Sequence, residues 1–225
     1  MAWRCSGVSN ADLVGRLFDA KIIQTDSVKR AMLAVDRANF SKFKPYEDRP
    51  QTLGYNSTIS APHMHATALE GLAPFLFPGA KVLDVGSGSG YLTVCMAEMV
   101  GPEGKAVGVE HIPELVDLAK QNTAKNHKEY LDQGRVVYHT ADGRVGFPQE
   151  APYDCIHVGA AADSLYEELV GQLKAPGRMF IPVGGRDGQA IYVIDKDKDG
   201  RVTEKKTVDV WYVPLTDVGT QYSRR

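Results

Sequence analysis

The stretch Lys81-Val-Leu-Asp-Val-Gly-Ser-Gly-Ser-Gly90 constrains this chain more than any other segment. Val82, Leu83 and Val85 predict a short buried strand, and three glycines alternating with serines follow it. The apolar segment 91–100 is long enough for a helix. A strand, a glycine turn and a helix form half of a βαβ unit. Glycine lets the backbone approach a ligand and a helix N-terminus offers unpaired N–H groups, so this turn predicts a ligand-binding site.

The spacing of the glycines favours one cofactor class over another. The dinucleotide pattern Gly-x-Gly-x-x-Gly requires glycine at position 91, where this chain has Tyr91. The chain instead reads Asp-x-Gly-x-Gly-x-Gly from Asp84, which resembles motif I of the class I S-adenosylmethionine (AdoMet) methyltransferases. Glu110 ends the next predicted strand, about twenty residues after the last glycine, where a carboxylate can accept hydrogen bonds from both ribose hydroxyls of a nucleoside. A nicotinamide oxidoreductase, or a tight turn without a ligand, remains the alternative.

Strand and helix signals alternate through the middle of the chain. This alternation predicts an α/β fold with a doubly wound, mostly parallel sheet. The resemblance of the glycine turn to motif I implies that this sheet is of the Rossmann-like AdoMet methyltransferase type. The predicted strands after the first are 106–110, 136–140, 153–158 and 178–183, and the predicted helices are 114–122 and 164–173.

The two flanks of this core differ from it. Ser9 or Asn10 can cap a first helix over 11–20 and Thr25 a second, and we expect both helices to pack on the core. Segments 190–194 and 206–213 predict an antiparallel hairpin at the sheet edge, followed by a short polar tail. The chain is therefore interpreted as one domain in three parts, 1–62, 63–185 and 186–225.

Residues 41–62 read as a long loop, and such loops in compact domains are often functional. Pro62 at the first turn of a predicted helix over 63–77, with Ser60 just before it, indicates a helix start. We therefore expect Ser60 at the mouth of a helix N-terminus, where an anion is favoured. His63 and His65 lie two apart, which places them on different helix faces and argues against a shared metal.

Composition excludes several classes of protein. A formal net charge of −2 gives no reason to expect nucleic acid or an anionic membrane as partner, and no apolar run approaches the ~20 residues of a membrane span. The opening residues have no apolar core of a signal peptide. Cys5, Cys95 and Cys155 are odd in number without metal spacing, which predicts reduced thiols in a cytosolic protein.

The segment Asp195-Lys-Asp-Lys-Asp-Gly200 resembles the opening of a calcium loop. An EF-hand requires a bidentate Glu at loop position twelve, where this chain has Lys206. The flanking segments are also strand-like rather than helical. We therefore expect a solvated turn here and no metal in the protein.

Several segments together resemble the protein-L-isoaspartate (D-aspartate) O-methyltransferase family, over essentially the whole chain. The glycine turn alone specifies only the cofactor, whereas Ser60-Ala-Pro-His-Met64 is far more specific. The opening Met1-Ala-Trp3 is also similar to that of animal members. The segments that carry the resemblance are Thr58-Ile-Ser-Ala-Pro-His-Met-His65, Leu83-Asp-Val-Gly-Ser-Gly-Ser-Gly90, Tyr153-Asp-Cys-Ile-His-Val-Gly-Ala160 and Tyr212-Val-Pro-Leu-Thr216.

The resemblance implies transfer of a methyl group from AdoMet to the free α-carboxylate of L-isoaspartyl residues, and to the β-carboxylate of D-aspartyl residues, in damaged proteins. The product is S-adenosyl-L-homocysteine, and the ester collapses to a succinimide that opens partly to normal aspartate. It also implies a cytoplasmic monomer whose partners are isoaspartyl proteins and peptides.

The resemblance assigns roles by matching position, with Ser60 as the active-site residue. Glu110 stands where relatives often have Asp, and we expect its ribose-binding role to survive because both are two-oxygen acceptors. The last residues, 221–225, vary among relatives and receive no role. The implied cofactor-binding residues are Ser57, Thr58, Ile59, Ser60 and His65 on the loop side, Asp84, Gly86, Ser87, Gly88 and Ser89 at the methionine portion, Glu110 at the ribose, His111, Asp142 and Gly143 at the adenine, and Thr216 from the tail. The implied peptide-binding residues are Ser60, Ala61, His65, Val213, Pro214 and Leu215.

The chemistry requires alignment rather than a base. An α-carboxyl group has a reference pKa of about 3.3–3.7 and is already ionised at neutral pH. We therefore expect Ser60 and nearby backbone N–H groups to orient the acceptor carboxylate, because the chain has no Gly-x-Ser-x-Gly elbow for a serine nucleophile. A methyltransferase for a small molecule or RNA, and a catalytically silent AdoMet-binding adaptor, remain as alternatives.

Overall fold

The computed structural model describes residues 5–185 and 187–223. The opening Met1-Ala-Trp3, which contributes to the family resemblance, lies outside the described residues, as do Arg224 and Arg225. Within the described ranges, no helix is long and apolar enough to cross a membrane.

The strands are β1 Gln51–Gly54, β2 Ser57–Ile59, β3 Lys81–Val85, β4 Lys105–Glu110, β5 Val136–Thr140, β6 Tyr153–Val158, β7 Leu173–Gly185, β8 Gly188–Lys196 and β9 Val202–Val210. Seven of these strands form one sheet in the order β5-β4-β3-β6-β7-β8-β9, and β1 and β2 form a separate hairpin. The pairs from β5 to β7 are parallel, and β8 and β9 add an antiparallel edge. The predicted doubly wound, mostly parallel sheet and its C-terminal hairpin are confirmed.

Helices cover both faces of this sheet, as parallel strands require because both of their faces are buried. Along β3, Val82 packs into one hydrophobic cluster with the N-terminal helices, whereas Leu83 and Val85 pack into a second cluster on the other face. The helices are α1 Asn10–Asp19, α2 Asp26–Ala34, α3 Pro62–Leu72, α4 Tyr91–Val100, α5 Pro113–Ala124, α6 Lys128–Asp132, α7 Glu167–Gly171 and α8 Val218–Ser223.

The chain order reverses between β3 and β6, which are neighbours in the sheet. Val85 pairs with Val158 at the carboxyl ends of these strands, and the Gly159 N–H donates to the Val85 carbonyl at 2.8 Å. Ligands in open α/β sheets bind at such a switch point because the loops on either side diverge there. The glycine turn that follows Val85 therefore stands at the opening of a cleft.

The two N-terminal helices form as predicted. The Ser9 hydroxyl caps α1 by accepting the N–H of Asp12 at 3.2 Å. Thr25 occupies the N-cap position of α2, but its side chain does not cap that helix, contrary to the expectation. The Thr25 N–H and hydroxyl both donate to the Glu70 carboxylate instead, which ties the start of α2 to α3.

The segment predicted as a loop contains structure. Within 41–62, β1 and β2 form a hairpin whose turn residues Tyr55 and Asn56 both have positive φ, at 52° and 55°. The following helix α3 begins at Pro62 as expected, but it ends at Leu72 and a short 3-10 turn through Pro74 replaces the rest of the predicted helix. Proline lacks an N–H and obstructs the preceding turn, which explains the early end.

The helix predicted over 164–173 is also too long, since α7 has only five residues. The chain after β6 remains extended because Ala162 donates to the Pro182 carbonyl and accepts from the Gly184 N–H. The helix then ends where the Gln172 side chain bonds the backbone at Val145 and Phe147. Strand β7 consequently starts at Leu173 rather than at 178.

The C-terminal hairpin is followed by a tail that returns to the sheet. In the β8–β9 turn, the Asp197 carboxylate accepts the N–H groups of Asp199 and Arg201 at 2.8 and 2.9 Å, as in a solvated turn. The expected continuation of the second strand to 213 is wrong, because β9 ends at Val210. The Leu215 N–H donates to the Ala161 carbonyl at 2.7 Å, and the expected polar tail forms α8 instead.

Candidate active site

Two adjoining cavities, which together we call the cleft, lie across the carboxyl ends of β3, β4 and β6. The centre of the cleft is shared by Thr58, Gly86, Gly88 and Gly159. One end is lined by Glu110, His111, Gly143, Thr216 and Gln221, with Ser57 and residues 213–215 beside them. The other end is lined by Ile59, Ser60, His65, Asp84, Ser87, Ser89, Leu92 and His157.

The glycine turn adopts backbone angles that favour glycine. Gly86, Gly88 and Gly90 have φ of 73°, 49° and 84°, in the left-handed region that side chains rarely occupy. A Cβ at Gly90 would also lie 2.5 Å from the Tyr138 hydroxyl. The turn is thus held against β4 and β5, and its backbone faces the cleft.

The serines of the turn supply polar groups. Ser87 is buried, and its hydroxyl has no hydrogen-bond partner among the described residues although it lines the cleft. A buried hydroxyl without a partner costs free energy unless a ligand satisfies it. This orphaned group, together with the open backbone of the glycine turn, fits the polar methionine portion of AdoMet.

Glu110 lies at the end of the cleft where a nucleoside is expected. Its carboxylate accepts the N–H groups of His111 at 2.8 Å, Ile112 at 3.2 Å and Gly88 at 3.3 Å. Burial raises the pKa of Glu110 above its ordinary value, and these hydrogen bonds oppose the shift only in part. A carboxylate has capacity for further donors, so Glu110 can still accept from ribose hydroxyls.

The C-terminal helix α8 closes over this end. The Gln221 side-chain oxygen lies 2.6 Å from His111 Nε2, and its amide donates to the Ser57 hydroxyl at 2.7 Å and to the Tyr55 carbonyl at 2.9 Å. Gln221 had no role in the sequence interpretation. Its three contacts come from chain segments more than a hundred residues away, so no local pattern could have revealed it.

Asp142 and Gly143, expected at the adenine, and Thr216, expected from the tail, differ in whether their side chains are free to contact a ligand. Gly143 and Thr216 line the cleft. The Asp142 carboxylate instead forms a bidentate pair with Arg144, with Oδ2 2.6 Å from the guanidinium, and this pair lowers the pKa of Asp142. The Asp142 carboxylate can therefore bind a ligand only if it releases Arg144 or binds the ligand and Arg144 together.

Asp84 and His157 form a buried pair between neighbouring strands. Asp84 Oδ1 lies 2.8 Å from His157 Nδ1, and Asp84 Oδ2 accepts from the Thr93 hydroxyl. Both side chains also line the cleft. Sequence reasoning missed His157, although its place at the carboxyl end of a predicted strand was a usable signal, because ligands bind at that edge of a parallel sheet.

The expectation of free N–H groups at the start of α3 is wrong. Ala61, not Ser60, occupies the N-cap position, and Pro62 has no N–H to offer. The His63 N–H donates to Asp48 Oδ1 at 2.9 Å, and the Met64 N–H donates to the Ala61 carbonyl at 2.9 Å. The buried Asp48 carboxylate therefore already takes the place at this helix N-terminus that an acceptor anion was expected to fill.

The expected acceptor residues spread over the cleft. Ser60 is half-buried at the end opposite Glu110. Ala61 is only 1% exposed, so its side chain presents almost no surface to a peptide. Residues 213–215 border the Glu110 end instead.

His65 is held from behind by a buried arginine. Arg37 is fully buried, with Nη1 3.0 Å from His65 Nδ1 and Nη2 2.6 Å from the Ser60 carbonyl. Burial lowers the pKa of Arg37 to about 10 and holds the pKa of His65 well below its usual range, with the Arg37 charge adding to the second shift. Sequence reasoning missed Arg37, which lies 28 residues before its histidine partner.

Among residues 5–185 and 187–223, no group of three His, Cys, Asp or Glu side chains is arranged to hold an ion. His63 and His65 have different partners, because His63 Nδ1 lies 2.8 Å from Asp48 Oδ1 whereas His65 Nδ1 contacts Arg37.

Comparison with known proteins agrees with the geometry. The family described as Protein-L-isoaspartate(D-aspartate) O-methyltransferase matches residues 8–220. Two relatives named protein-L-isoaspartate O-methyltransferase come from Caenorhabditis elegans, 48% identical with 100% of both chains covered, and from Triticum aestivum, 51% identical with 94% of this chain and 93% of the relative covered.

A solved structure shares the fold over nearly its whole length. A Plasmodium falciparum structure, described as a protein-L-isoaspartate O-methyltransferase in complex with S-adenosyl-L-homocysteine, superposes with a TM-score of 0.88. It is 35% identical, and the match covers 93% of this chain and 99% of that one. With its switch-point cleft, its matching relatives and its matching fold, this chain belongs to the protein-L-isoaspartate(D-aspartate) O-methyltransferase family.

Proposed function

We propose that the cleft transfers a methyl group from AdoMet to the free α-carboxylate of L-isoaspartyl residues, and to the β-carboxylate of D-aspartyl residues, in damaged proteins and peptides. The methyl ester then collapses to a succinimide that opens partly to normal aspartate. The observation that carries this proposal is the pair of adjoining cavities across the switch point, one lined by Glu110 and the other by Ser60, in a chain of this family.

The cofactor fits along the glycine turn. Glu110 would hold the ribose hydroxyls, and Gly143, His111 and Thr216 would border the base. Gly86, Ser87, Gly88 and Ser89 would hold the methionine portion, with the unpartnered Ser87 hydroxyl as one polar contact. Asp84 would act there by fixing His157, since both of its oxygens are already bonded to the protein.

When bound, AdoMet supplies a methyl group on a sulfonium, which a carboxylate takes by displacement to leave S-adenosyl-L-homocysteine. The acceptor carboxylate is already ionised at neutral pH, so no side chain must remove a proton. Ser60 and His65 would orient the acceptor from the loop side, and good alignment alone can be worth roughly 7–11 kcal/mol in favourable systems. Partial burial of the acceptor would also exclude water from the reacting oxygen.

Two matched peptides test this function. One contains an isoaspartyl residue and its twin contains normal aspartate, and both are incubated with AdoMet carrying a labelled methyl group. We expect label in the first peptide, base-labile as a methyl ester, and none above background in the second. Equal labelling of both peptides, or of neither, would contradict the proposal.

We further propose that the protein acts as a monomer in the cytosol. The three buried, unpaired thiols of Cys5, Cys95 and Cys155 support a reducing compartment. The cleft also contains all the proposed binding groups within one chain. Light scattering after size-exclusion chromatography tests the monomer, with a mass near 24.6 kDa expected. Fractionation of the source cells tests the compartment.

A further inference from the structure

The acceptor end of the cleft needs positive charge or hydrogen-bond donors, because its substrate group is a carboxylate. The start of α3 does not supply them, since Asp48 and Ala61 already accept its first N–H groups. The nearest buried cation behind this end is Arg37, which directly contacts both a backbone group of Ser60 and the ring of His65.

Arg37 is an unusual buried cation. Its guanidinium donates to the neutral partners His65 Nδ1 and the Ser60 carbonyl, and it lies 5.2 Å from the centre of the Tyr91 ring. Within the described residues no carboxylate forms a salt bridge with it, since the Asp48 charge acts on Arg37 only from a longer distance and Asp48 pairs directly with His63. The Nε of Arg37 has no partner there either. A buried charge without a directly bonded counter-ion is costly, which indicates that it serves the site rather than stability alone.

The contact with Arg37 determines the state of His65. Arginine is a hydrogen-bond donor only, so His65 Nδ1 must be the acceptor and cannot carry a proton. Burial and the Arg37 charge also disfavour the doubly protonated ring. The proton of the neutral ring is therefore on Nε2, which makes no hydrogen bond within the described part of the chain while the ring borders the cleft.

We propose that Arg37 is a positioning residue for the acceptor: it fixes His65 as the Nε2–H tautomer and holds the Ser60 backbone, so that the imidazole N–H and the Ser60 hydroxyl together hold the substrate carboxylate. The guanidinium adds a positive field behind these two donors. This inference rests on the proposed acceptor site.

The state of His65 is tested directly by long-range proton–nitrogen NMR of the wild-type protein labelled with 15N-histidine. The His65 signals are assigned by their loss in His65→Gln. We expect an unprotonated Nδ1 and a protonated Nε2 at pH 7.5. A protonated Nδ1 or an imidazolium would overturn the proposal, and this readout does not depend on activity or on any arginine variant folding.

The role of Arg37 is tested by Arg37→Met and Arg37→Lys. In Arg37→Met we expect the peptide KM to rise roughly 10-fold to 100-fold, the effect of weakening a hydrogen bond to a charged group, with the AdoMet Kd within about 2-fold of wild type. We also expect both neutral His65 tautomers in its NMR spectrum. Arg37→Lys keeps the charge and one donor, so it should restore part of the peptide KM.

Arg178→Met is the matched control. Arg178 is a largely buried guanidinium that bonds the Gly71 carbonyl of α3 and the Asp195 carboxylate, outside the cleft. We expect it to leave the peptide KM and the His65 tautomer unchanged. A folded Arg37→Met with wild-type peptide KM, or with an AdoMet Kd raised as much as the peptide KM, would contradict the positioning role. A wild-type protein that does not distinguish the isoaspartyl peptide would instead contradict the proposed function.

Discussion

Asp84 and His157 are paired residues of neighbouring parallel strands, and their side chains meet with Oδ1 2.8 Å from Nδ1. The second Asp84 oxygen accepts the hydroxyl of Thr93, which lies on the helix after the glycine turn. One carboxylate therefore connects the two strands at the switch point and the helix behind the turn. This connection stabilises the floor of the cleft, since both side chains of the pair line it.

Replacing Asp84 by Asn should disturb this connection. Asn offers one acceptor oxygen in place of two, so either the His157 Nδ1–H or the Thr93 hydroxyl would lose its acceptor. We expect the free energy of unfolding to fall by about 1–3 kcal/mol, the cost of a buried donor left unsatisfied. Urea denaturation measures this, and Thr93→Ser, which keeps the hydroxyl, is the control. Wild-type stability in Asp84→Asn would show that the network is not needed.

Ser60→Ala separates acceptor orientation from cofactor binding. The variant removes the hydroxyl that is proposed to hold the acceptor but leaves the glycine turn intact. We expect kcat to fall by roughly 10-fold or more, as for loss of one hydrogen bond to a charged group, with the AdoMet Kd nearly unchanged. Steady-state kinetics and calorimetric titration measure the two quantities. Ser60→Thr keeps a hydroxyl and should retain more activity, whereas full activity in Ser60→Ala would refute the role.

Glu110→Gln should weaken AdoMet binding and remove one source of pH dependence in the stability. The folded pKa of Glu110 is raised by burial, so between its unfolded and folded pKa values the folded protein binds more protons, and its stability falls as pH rises through that range. Above the folded pKa this cost is fully present, and Gln removes it, but Gln has one acceptor oxygen and leaves one of the backbone N–H groups that Glu110 binds without an acceptor. We therefore expect the ligand-free variant to lose this fall of stability with rising pH, with the AdoMet Kd raised roughly 10-fold to 100-fold. Unchanged affinity would exclude Glu110 from the ribose site.

Gln221→Ala should weaken the contacts that hold α8 over the nucleoside end of the cleft. The side chain joins α8 to His111 and to the β1–β2 hairpin, so its loss should weaken closure over the nucleoside end. We expect the AdoMet Kd to rise about 5-fold to 10-fold, equivalent to about 1 kcal/mol. Thr220→Ala is the control, because Thr220 bonds Asp217 within the same segment. Equal affinities of the two variants would argue against a closing role for Gln221.

His65 should contribute to the pH dependence of stability. Its folded pKa lies well below 6.5, so the unfolded chain binds more protons in this range and stability falls as pH drops below about 6.5. The contribution is up to about 1.4 kcal/mol per pH unit for one proton. His127 and His139 are shifted in the same direction by burial and remain in the variant. We expect His65→Gln to show a shallower slope of unfolding free energy between pH 7.5 and 5.5, and an identical slope would contradict this.

Local sequence patterns predicted the central strands and the glycine turn, because such patterns depend only on residues that are close together in the chain. The period of apolar residues placed β3 to β6, and the glycine spacing identified the turn, whose φ values confirm it. The same reasoning failed where a tertiary contact prevailed. The Gln172 side chain bonds the backbone of Val145 and Phe147 where α7 ends early, and the Asp48 carboxylate binds the N-terminus of α3.

The sequence by itself determined the sheet, the position of the glycine turn, the acid at Glu110 and the family, since each is carried by residues close together in the chain. Only the tertiary structure decided that Arg37 stands behind His65, that His157 pairs with Asp84 and that Gln221 reaches Ser57. Those partners are 28, 73 and 164 residues apart. Such contacts leave no periodicity in the sequence, because they form only after the sheet and its helices have packed.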